Sequence, residues 1–170
     1  MEILVGSDDM YARLAAVVPC YNAGARVEPV VRSLLEQLDH VVVVDDGSTD
    51  GATAPLQALG ASVIHFPENK GKGFAMLAGF RAALAAEPVR GVVIVDADGQ
   101  HDAGELANLW QAFVKNDADL VIGTRTFDGA HVPLRSKIGN KFTAAATRIL
   151  IGAPIADTQS GFRIHSRRLL

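Results

Sequence analysis

Apolar and polar positions along the chain form blocks that predict strands and helices in alternation. Short apolar runs are typical of strands covered on both faces, and they lie at residues 15–19, 41–44, 61–65, 92–95, 120–123 and 162–164. Between them, apolar residues at helical spacing predict an amphipathic helix, and its stripe consists of Val27, Val30, Val31, Leu34, Leu35 and Leu38. Further helices are predicted at 53–59, 73–86 and 136–150, and at a stripe made of Leu106, Leu109, Trp110 and Phe113.

Strands that alternate with helices predict an α/β domain with a mainly parallel sheet. We expect residues 1–170 to form a single domain, because a chain of this length can bury one sizeable core. Phe74, Leu77 and the Leu106 stripe are predicted to belong to that core. Residues 166–170 resemble the opening of a helix, which predicts that the domain is truncated at its C-terminus.

Composition excludes several classes of protein. Hydrophobic residues make up 49% and charged residues 21% of the chain, which is typical of a globular domain rather than a disordered one. The single cysteine, Cys20, excludes an internal disulfide framework, favours a reducing compartment and is expected to be structural rather than nucleophilic. The N-terminus has no basic segment ahead of an apolar core, and no apolar run reaches the roughly 18 residues of a membrane span. We therefore expect a cytoplasmic protein that is soluble or at most peripheral at a membrane.

Charge is distributed unevenly along the chain. Residues 1–124 carry eight Lys/Arg against seventeen Asp/Glu, whereas residues 125–170 carry eight Lys/Arg against two Asp/Glu, so the two parts have net charges of −9 and +6. The basic segment is either a solvated helix face or a surface that meets an anion.

Polar side chains follow three of the predicted strands. Tyr21-Asn22 comes after the first, Asp45-Asp46 after the second, and the sequence from Asp96 to Asp98 after the fourth. In parallel α/β sheets ligands bind at the carboxyl ends of the strands, so we expect these residues to share one site.

Asp96 and Asp98 are candidate ligands of a divalent cation. Two nearby carboxylates repel each other unless a cation neutralises them, and oxygen ligands suit Mg²⁺ or Mn²⁺. Gln100 is a candidate third ligand or a hydrogen-bond partner of one. The alternative is a solvated loop with incidental acids. Residues 48–51, in contrast, are expected to serve only turn and cap chemistry.

An ordered set of segments closely resembles the family 2 glycosyltransferases. The segments are VVPCYNAG, VVVVDDGSTDGA, ENKGKGFAMLAGF, VIVDADGQH, GTR and DTQSGFR, and together they cover most of the chain. The resemblance implies the GT-A fold, a Rossmann-like α/β/α sandwich, in a glycosyltransferase catalytic domain. It also implies a nucleotide-sugar donor, a divalent metal and inversion at the anomeric carbon. The chain departs from the family pattern at Ala23, where a Glu is usual, and at Gly99, where a Leu is usual.

The resemblance also implies roles for individual residues. The donor-binding set is Pro19, Tyr21, Asn22, Asp45, Asp46, Lys70, Gly71, Lys72, Asp96, Ala97 and Asp98, and the metal ligands are Asp96, Asp98 and Gln100.

Within the family, the later motifs are most similar to the polyprenyl-phosphate (dolichyl-phosphate) mannosyl- and glucosyltransferases. This similarity implies that Arg125 binds the phosphate of a lipid acceptor. The remaining acceptor-binding candidates are His131, Arg135, Ser136 and Arg163. A lipid phosphate and an anionic membrane surface would then explain the basic segment, with peripheral contact at the cytoplasmic face and no nucleic acid as a partner.

The candidate catalytic residues are Asp98, Arg125 and Asp157. Asp157 is the candidate base in the alternative in which a hydroxyl, of a saccharide for example, is the acceptor. A second alternative is a non-catalytic domain that binds nucleotide sugars. Two other enzyme classes fit poorly, because Gln100 stands where a dehalogenase-type phosphatase has Thr and because no glycine-rich basic loop follows the first strand, as a nucleotidyltransferase requires.

Overall fold

A computed structural model describes residues 14–86, 88–100, 103–123 and 161–170 of the protein. These residues form a six-stranded sheet with the strand order β3-β2-β1-β4-β6-β5. The strands are β1 (Leu14–Cys20), β2 (His40–Asp45), β3 (Ser62–His65), β4 (Gly91–Ile94), β5 (Leu120–Ile122) and β6 (Arg163–Ser166). The first four are mutually parallel, whereas β6 runs antiparallel to both of its neighbours. The predicted mainly parallel sheet is confirmed.

Helices cover both faces of the sheet. They are α1 (Val27–Leu35), α2 (Lys72–Ala86) and α3 (Leu106–Lys115), and each begins within one residue of its predicted start. One core cluster packs α1 and α3 against one face, and a second packs α2 against the other. Val41 and Val43 belong to the first cluster and Val42 and Val44 to the second, so successive residues of one apolar strand serve opposite layers. The result is an α/β/α sandwich.

Helix α2 packs on the sheet through small residues, and this corrects one prediction. Ala75, Gly79 and Ala83 are its buried positions. A Cβ added at Gly79 would lie 3.1 Å from Cγ2 of Val17 and closer still to its Cγ1, so the helix backbone lies directly on β1. Phe74 and Leu77 are therefore displaced to the other side of the helix, where they are 63% and 45% exposed. Their predicted place in the core is wrong, whereas the Leu106 stripe is buried as predicted.

The helix predicted at 53–59 is reduced to a succession of turns that ends in a 3₁₀ helix, Gln57–Leu59. Thr53 Oγ1 donates to the Asp45 carboxylate at 2.7 Å, which fixes the chain where a longer helix would begin. Gly60 then adopts a left-handed conformation with φ of 108° and ends the 3₁₀ helix.

Strand β6 is longer than predicted. It lies between β4 and β5 in the sheet, although it follows both of them in the sequence. Ile94 of β4 pairs with Arg163, and Ile122 of β5 pairs with the same residue from the other side. Beyond it, residues 167–169 form a turn rather than the beginning of a helix. Among the described residues no helix is both long and apolar enough to cross a membrane.

Candidate functional site

A cleft of about 450 Å³ opens at the carboxyl ends of β1, β2 and β4. Its lining mixes two positive side chains and three carboxylates with small apolar groups. The lining residues are Pro19, Cys20, Tyr21, Ala23, Arg26, Asp46, Asn69, Gly71, Lys72, Ala75, Asp96, Ala97 and Asp98. This volume lies within the range of small-molecule sites.

Strand register brings these separate segments together. Cys20 pairs with Asp45, and the Asp46 N–H donates to the Cys20 carbonyl at 2.8 Å. On the other side of β1, the Val95 N–H donates to the Val17 carbonyl at 3.1 Å, one residue before Asp96. The three polar segments therefore meet at one edge, as the sequence predicts.

The buried carboxylate of Asp46 fixes the loop that precedes α2. It accepts hydrogen bonds from the backbone N–H groups of Lys70 at 2.7 Å and Gly71 at 2.9 Å. The loop also lies against Gly47, where an added Cβ would be 2.6 Å from the Asn69 nitrogen. Gly47 has φ of 74°, so both its conformation and this close approach require glycine. Asp46 thereby determines where the α2 N-terminus and its Lys72 stand.

Asp45 has a supporting position beneath the cleft instead of lining it. It is 5% exposed and accepts hydrogen bonds from the Ser48 N–H, Thr53 Oγ1 and His65 Nδ1 at 2.8, 2.7 and 3.0 Å. Burial by itself would raise the pKa of the Asp45 carboxyl, but these hydrogen bonds outweigh it and lower the pKa below its usual value. Nothing in the sequence pattern around His65 indicates this bond.

The residues after Gly47 perform the turn chemistry that the sequence predicts. The Asp50 carboxylate accepts from the N–H groups of Gly24 at 2.8 Å and Ala52 at 3.0 Å. Asn22 has a positive φ of 48°, and its side-chain oxygen accepts from the Thr49 N–H at 2.9 Å. Asn22 thus joins the loops after β1 and β2, and it supports the cleft from outside its lining.

Asp96 and Asp98 flank the buried Ala97 in the sequence, and all three residues line the cleft. Lys72 Nζ lies 2.5 Å from Asp96 Oδ1, so a cation already neutralises this carboxylate. Asp98 Oδ1 accepts from the backbone N–H of Gln100 at 3.0 Å. Within the described ranges no three His, Cys, Asp or Glu side chains cluster as metal ligands. Two carboxylates beside a cation nevertheless fit a Mg²⁺ or Mn²⁺ site of the kind that is completed by phosphate and water oxygens.

Eight of the eleven predicted donor-binding residues line the cleft. The other three are Asn22, Asp45 and Lys70, and the first two have the supporting positions described above. Lys70 contributes its backbone N–H to Asp46, while its ammonium lies 5.4 Å from the centre of the Phe66 ring. Gln100 is not among the lining residues that the structure describes, although its backbone N–H donates to the Asp98 carboxylate.

Sequence reasoning missed Arg26 and Asn69, which line the cleft beside the predicted residues. Arg26 Nε donates to the Ala23 carbonyl at 3.1 Å, and this bond holds the side chain at the start of α1. Arg26 lies outside the motifs that resemble the family, and Asn69 lies within the segment ENKGKGFAMLAGF but was not singled out in it.

Cys20 also lines the cleft, but its thiol is unreactive in character. The side chain is 1% exposed, and this burial raises the pKa of the thiol to about 11. The prediction of a structural cysteine agrees with this environment.

Arg163 is the one acceptor candidate within the described residues. It opens β6 opposite Ile94, two residues before Asp96, so it lies at the same edge of the sheet as the cleft. Its Nε is buried without a hydrogen-bond partner in the described part of the chain. Further along β6, burial lowers the pKa of His165 to about 4, and the charge of Arg163 adds to this shift.

The remaining candidates lie outside the described residues. They are Arg125, His131, Arg135, Ser136 and Asp157, together with the helix predicted at 136–150.

Comparison with known proteins gives consistent matches over this fold. A family model described as glycosyl transferase family 2 matches residues 15–170. The polyprenol monophosphomannose synthase of Mycolicibacterium smegmatis is 34% identical over 93% of this chain and 63% of that protein. The UDP-N-acetylglucosamine–dolichyl-phosphate N-acetylglucosaminyltransferase of Methanococcus voltae is 29% identical over 91% of this chain and 69% of that protein. The chain thus spans about two thirds of the length of these relatives.

Solved structures share the architecture. Glucosyl-3-phosphoglycerate synthase from Mycobacterium tuberculosis, in complex with Mn²⁺, UDP-glucose and phosphoglyceric acid, superposes with a TM-score of 0.70. The match covers 100% of this chain and 64% of that chain at 24% identity. The similarity confirms the GT-A fold.

Proposed function

From the premise that this chain belongs to glycosyl transferase family 2, we propose that it moves a hexose from a nucleoside diphosphate sugar to the phosphate of a polyprenyl acceptor. One observation carries the proposal: Asp96, Asp98 and Lys72 meet in a single cleft at the carboxyl ends of the strands. Carboxylates repel a diphosphate, because both groups are negatively charged. Cations that lie between the carboxylates and the diphosphate reverse this effect and allow the site to bind it.

We propose the following placement of the donor in the cleft. Pro19 and the half-exposed ring of Tyr21 offer an apolar surface to the base and ribose. The loop held by Asp46 presents Gly71 and Lys72, and the Lys72 ammonium stands where the diphosphate would lie against Asp96. GDP-mannose and UDP-glucose are the two donor types that we propose.

Asp96 and Asp98 would hold a divalent cation, which supplies neutralisation of the charge that develops on the leaving diphosphate. The Lys72 ammonium, which pairs with Asp96, would also stabilise the negative charge on the leaving diphosphate. The similar solved structure with Mn²⁺ and UDP-glucose supports this assignment. We propose Mg²⁺ or Mn²⁺ as the cofactor and Gln100 as a further ligand.

The acceptor requires little proton chemistry if it is a phosphate monoester. Such a group is largely ionised near neutral pH, because its second pKa is about 6, so its oxygen attacks the anomeric carbon without a general base. We propose that Arg163, which lies at the same edge of the sheet as the cleft, contacts the acceptor anion. We propose Arg125, His131, Arg135 and Ser136 as the other groups that bind the acceptor.

The net charge of +6 over residues 125–170 favours an anionic acceptor and contact with an anionic membrane surface at its cytoplasmic face. The relatives named for polyprenol and dolichyl phosphate support the same acceptor class.

A hydroxyl acceptor is the second candidate, and the phosphoglyceric acid in the similar solved structure favours it. In that case a base must take the hydroxyl proton as the new bond forms, and Asp157 is the residue that we propose.

Product analysis on the full-length protein tests these functions. The protein is incubated with Mn²⁺ or Mg²⁺, with GDP- and UDP-sugars, and with either polyprenyl phosphate, phosphoglycerate or an oligosaccharide. We expect a glycosylated polyprenyl phosphate, with the anomeric configuration inverted. A product on phosphoglycerate or saccharide alone would select the hydroxyl acceptor. Nucleotide-sugar binding without any product would support the non-catalytic alternative.

A further inference from the structure

Gly161 directly contacts the carboxylate of Asp96. A Cβ at position 161 would overlap Oδ2 and Cγ of Asp96, and Oδ1 would be only 2.5 Å away. These separations are far below van der Waals contact, so no side chain larger than hydrogen fits while Asp96 keeps its place. The φ of Gly161 lies outside the left-handed region, so its backbone conformation is one that L-residues adopt. Space, rather than conformation, requires glycine here.

The backbone at Gly161 is fixed on its C-terminal side. Phe162 is 1% exposed, and its carbonyl accepts from the Gly123 N–H at 2.8 Å. The next residue, Arg163, pairs with both Ile94 and Ile122 in the sheet. A methyl group at 161 therefore cannot be relieved by a shift of the backbone without breaking these pairs.

The Asp96 side chain is the part that can move. It is 18% exposed, and it forms an ion pair with the half-exposed Lys72. Rotation away from position 161 would separate Oδ1 from Lys72 Nζ, which now lie 2.5 Å apart. It would also change the position of this carboxylate relative to Asp98, which lines the same cleft.

We infer that Gly161 is a positioning residue for Asp96: its missing side chain leaves the space that orients this carboxylate toward Lys72 and the donor's cation. The cation part rests on the proposed function, whereas the contact between Gly161 and Asp96 does not. Gly161 also joins the segment that carries the acceptor candidates to the strand beside β4.

Gly161→Ala in the full-length protein tests the inference through metal-dependent binding. Calorimetric titrations with UDP and with GDP are made with Mn²⁺ and after chelation. We expect the variant to lose at least about tenfold in affinity with Mn²⁺ and less than about twofold after chelation. Gly73→Ala is the matched control, because a Cβ added there meets no atom within 4 Å. Unchanged Mn²⁺-dependent affinity in Gly161→Ala would overturn the inference and leave the proposed function intact.

A stability cycle tests the contact without any nucleotide. Urea unfolding is measured for Gly161→Ala, Asp96→Ala and the double variant. We expect Gly161→Ala to lower the unfolding midpoint in the parent but not in the Asp96→Ala background, where the obstructing carboxylate is gone. An equal loss in both backgrounds would show a general packing role and overturn the inference. Absence of Mn²⁺-dependent nucleotide binding in the parent would instead contradict the proposed function, and the cycle would still decide the contact.

Discussion

Replacement of Asp46 by Asn should loosen the loop before α2 and weaken nucleotide binding together. The Asp46 carboxylate is 3% exposed and accepts two backbone N–H groups, from Lys70 and Gly71. Asn keeps one acceptor oxygen and turns a donor NH₂ toward the other N–H, so one charge-assisted bond is lost and one buried donor is left unpaired. Hydrogen bonds to a charged group contribute about 1.5–3 kcal/mol each, so we expect a loss of about 2–3 kcal/mol in the free energy of unfolding.

The effect on nucleotide affinity follows from the same loop. Gly71 and Lys72 line the cleft, and the hydrogen bonds to Asp46 hold the loop that carries them. Every 1.4 kcal/mol is a factor of ten, so a loss of about 2–3 kcal/mol shifts the equilibrium that orders the loop by roughly 30- to 140-fold, and we expect nucleotide affinity to fall by about tenfold or more. Asp46→Ala removes both bonds and should cost more on both measures.

Urea unfolding without ligand and calorimetric titration of UDP and GDP measure the two effects. Asp50→Asn is a matched control, because Asp50 also accepts two backbone N–H groups but is exposed and outside the cleft lining. Water can replace its bonds, so we expect less than about 1 kcal/mol of destabilisation. If Asp46→Asn unfolds like the parent in the absence of nucleotide, the carboxylate does not hold the loop and the reasoning is refuted, even if affinity falls.

Four further predictions concern other parts of the molecule. Asp98→Asn in the full-length protein should lower turnover by on the order of 10²-fold or more while the urea midpoint stays near that of the parent, because it removes charge at the reaction centre and few packing contacts; near-normal rates would contradict the metal assignment. Arg125→Ala should raise the acceptor KM and leave UDP and GDP affinity within about a factor of two, and Arg125→Lys should recover only part of the loss; weakened nucleotide binding would move this residue to the donor site. His165 has its pKa lowered from the ordinary 6.5 to about 4, so the unfolded chain binds the extra proton and stability should fall as pH drops from 6.5 toward 4. His165→Phe should flatten this part of the curve of unfolding free energy against pH. An unchanged slope would mean that other groups cause the pH dependence. Gly79→Ala should destabilise the fold by about 1–3 kcal/mol through overlap with Val17, and a neutral result in urea unfolding would mean that α2 can shift off β1.

The strands were predictable because their signal is local. Runs of branched residues such as Val41–Val44 encode a strand covered on both faces without reference to the rest of the chain, and the observed bounds differ by at most two residues. Where an outcome depended on a distant partner, the sequence pattern was insufficient. Thr53 bonds Asp45 instead of starting a helix, and nothing near Thr53 in the sequence indicates that bond.

Helix α2 shows a second reason for failure. Hydrophobicity alone assigns Phe74 and Leu77 to the core, but the distance between a helix and a sheet depends on the smallest residues at their contact. Gly79 brings the two backbones together, and large side chains then find room only elsewhere.

The sequence predicted where the candidate site lies better than it predicted the contacts of each residue in it. Strand ends and motif order identified the cleft and most of its lining. Whether a residue lines the cleft or supports it depends on rotamers and loop contacts, so Asn22 and Asp45 were grouped with residues that do line it. The role of Gly161 could not be predicted, because glycine has no functional group and its importance here is the space that it leaves for Asp96.

The hydrogen bond between the Gly123 N–H and the Phe162 carbonyl has a consequence for how such proteins diversify. The chain leaves the sheet after β5 and returns into β6 at paired positions, Ile122 and Arg163. The two ends of the intervening segment are therefore held together by the sheet. Because the entropy of loop closure grows slowly with loop length, a longer segment between them would cost little additional free energy. Because most of the acceptor candidates that we propose lie between Gly123 and Gly161 in the sequence, we expect that replacing the segment between these two glycines with that of a relative would change acceptor preference and leave nucleotide binding in place.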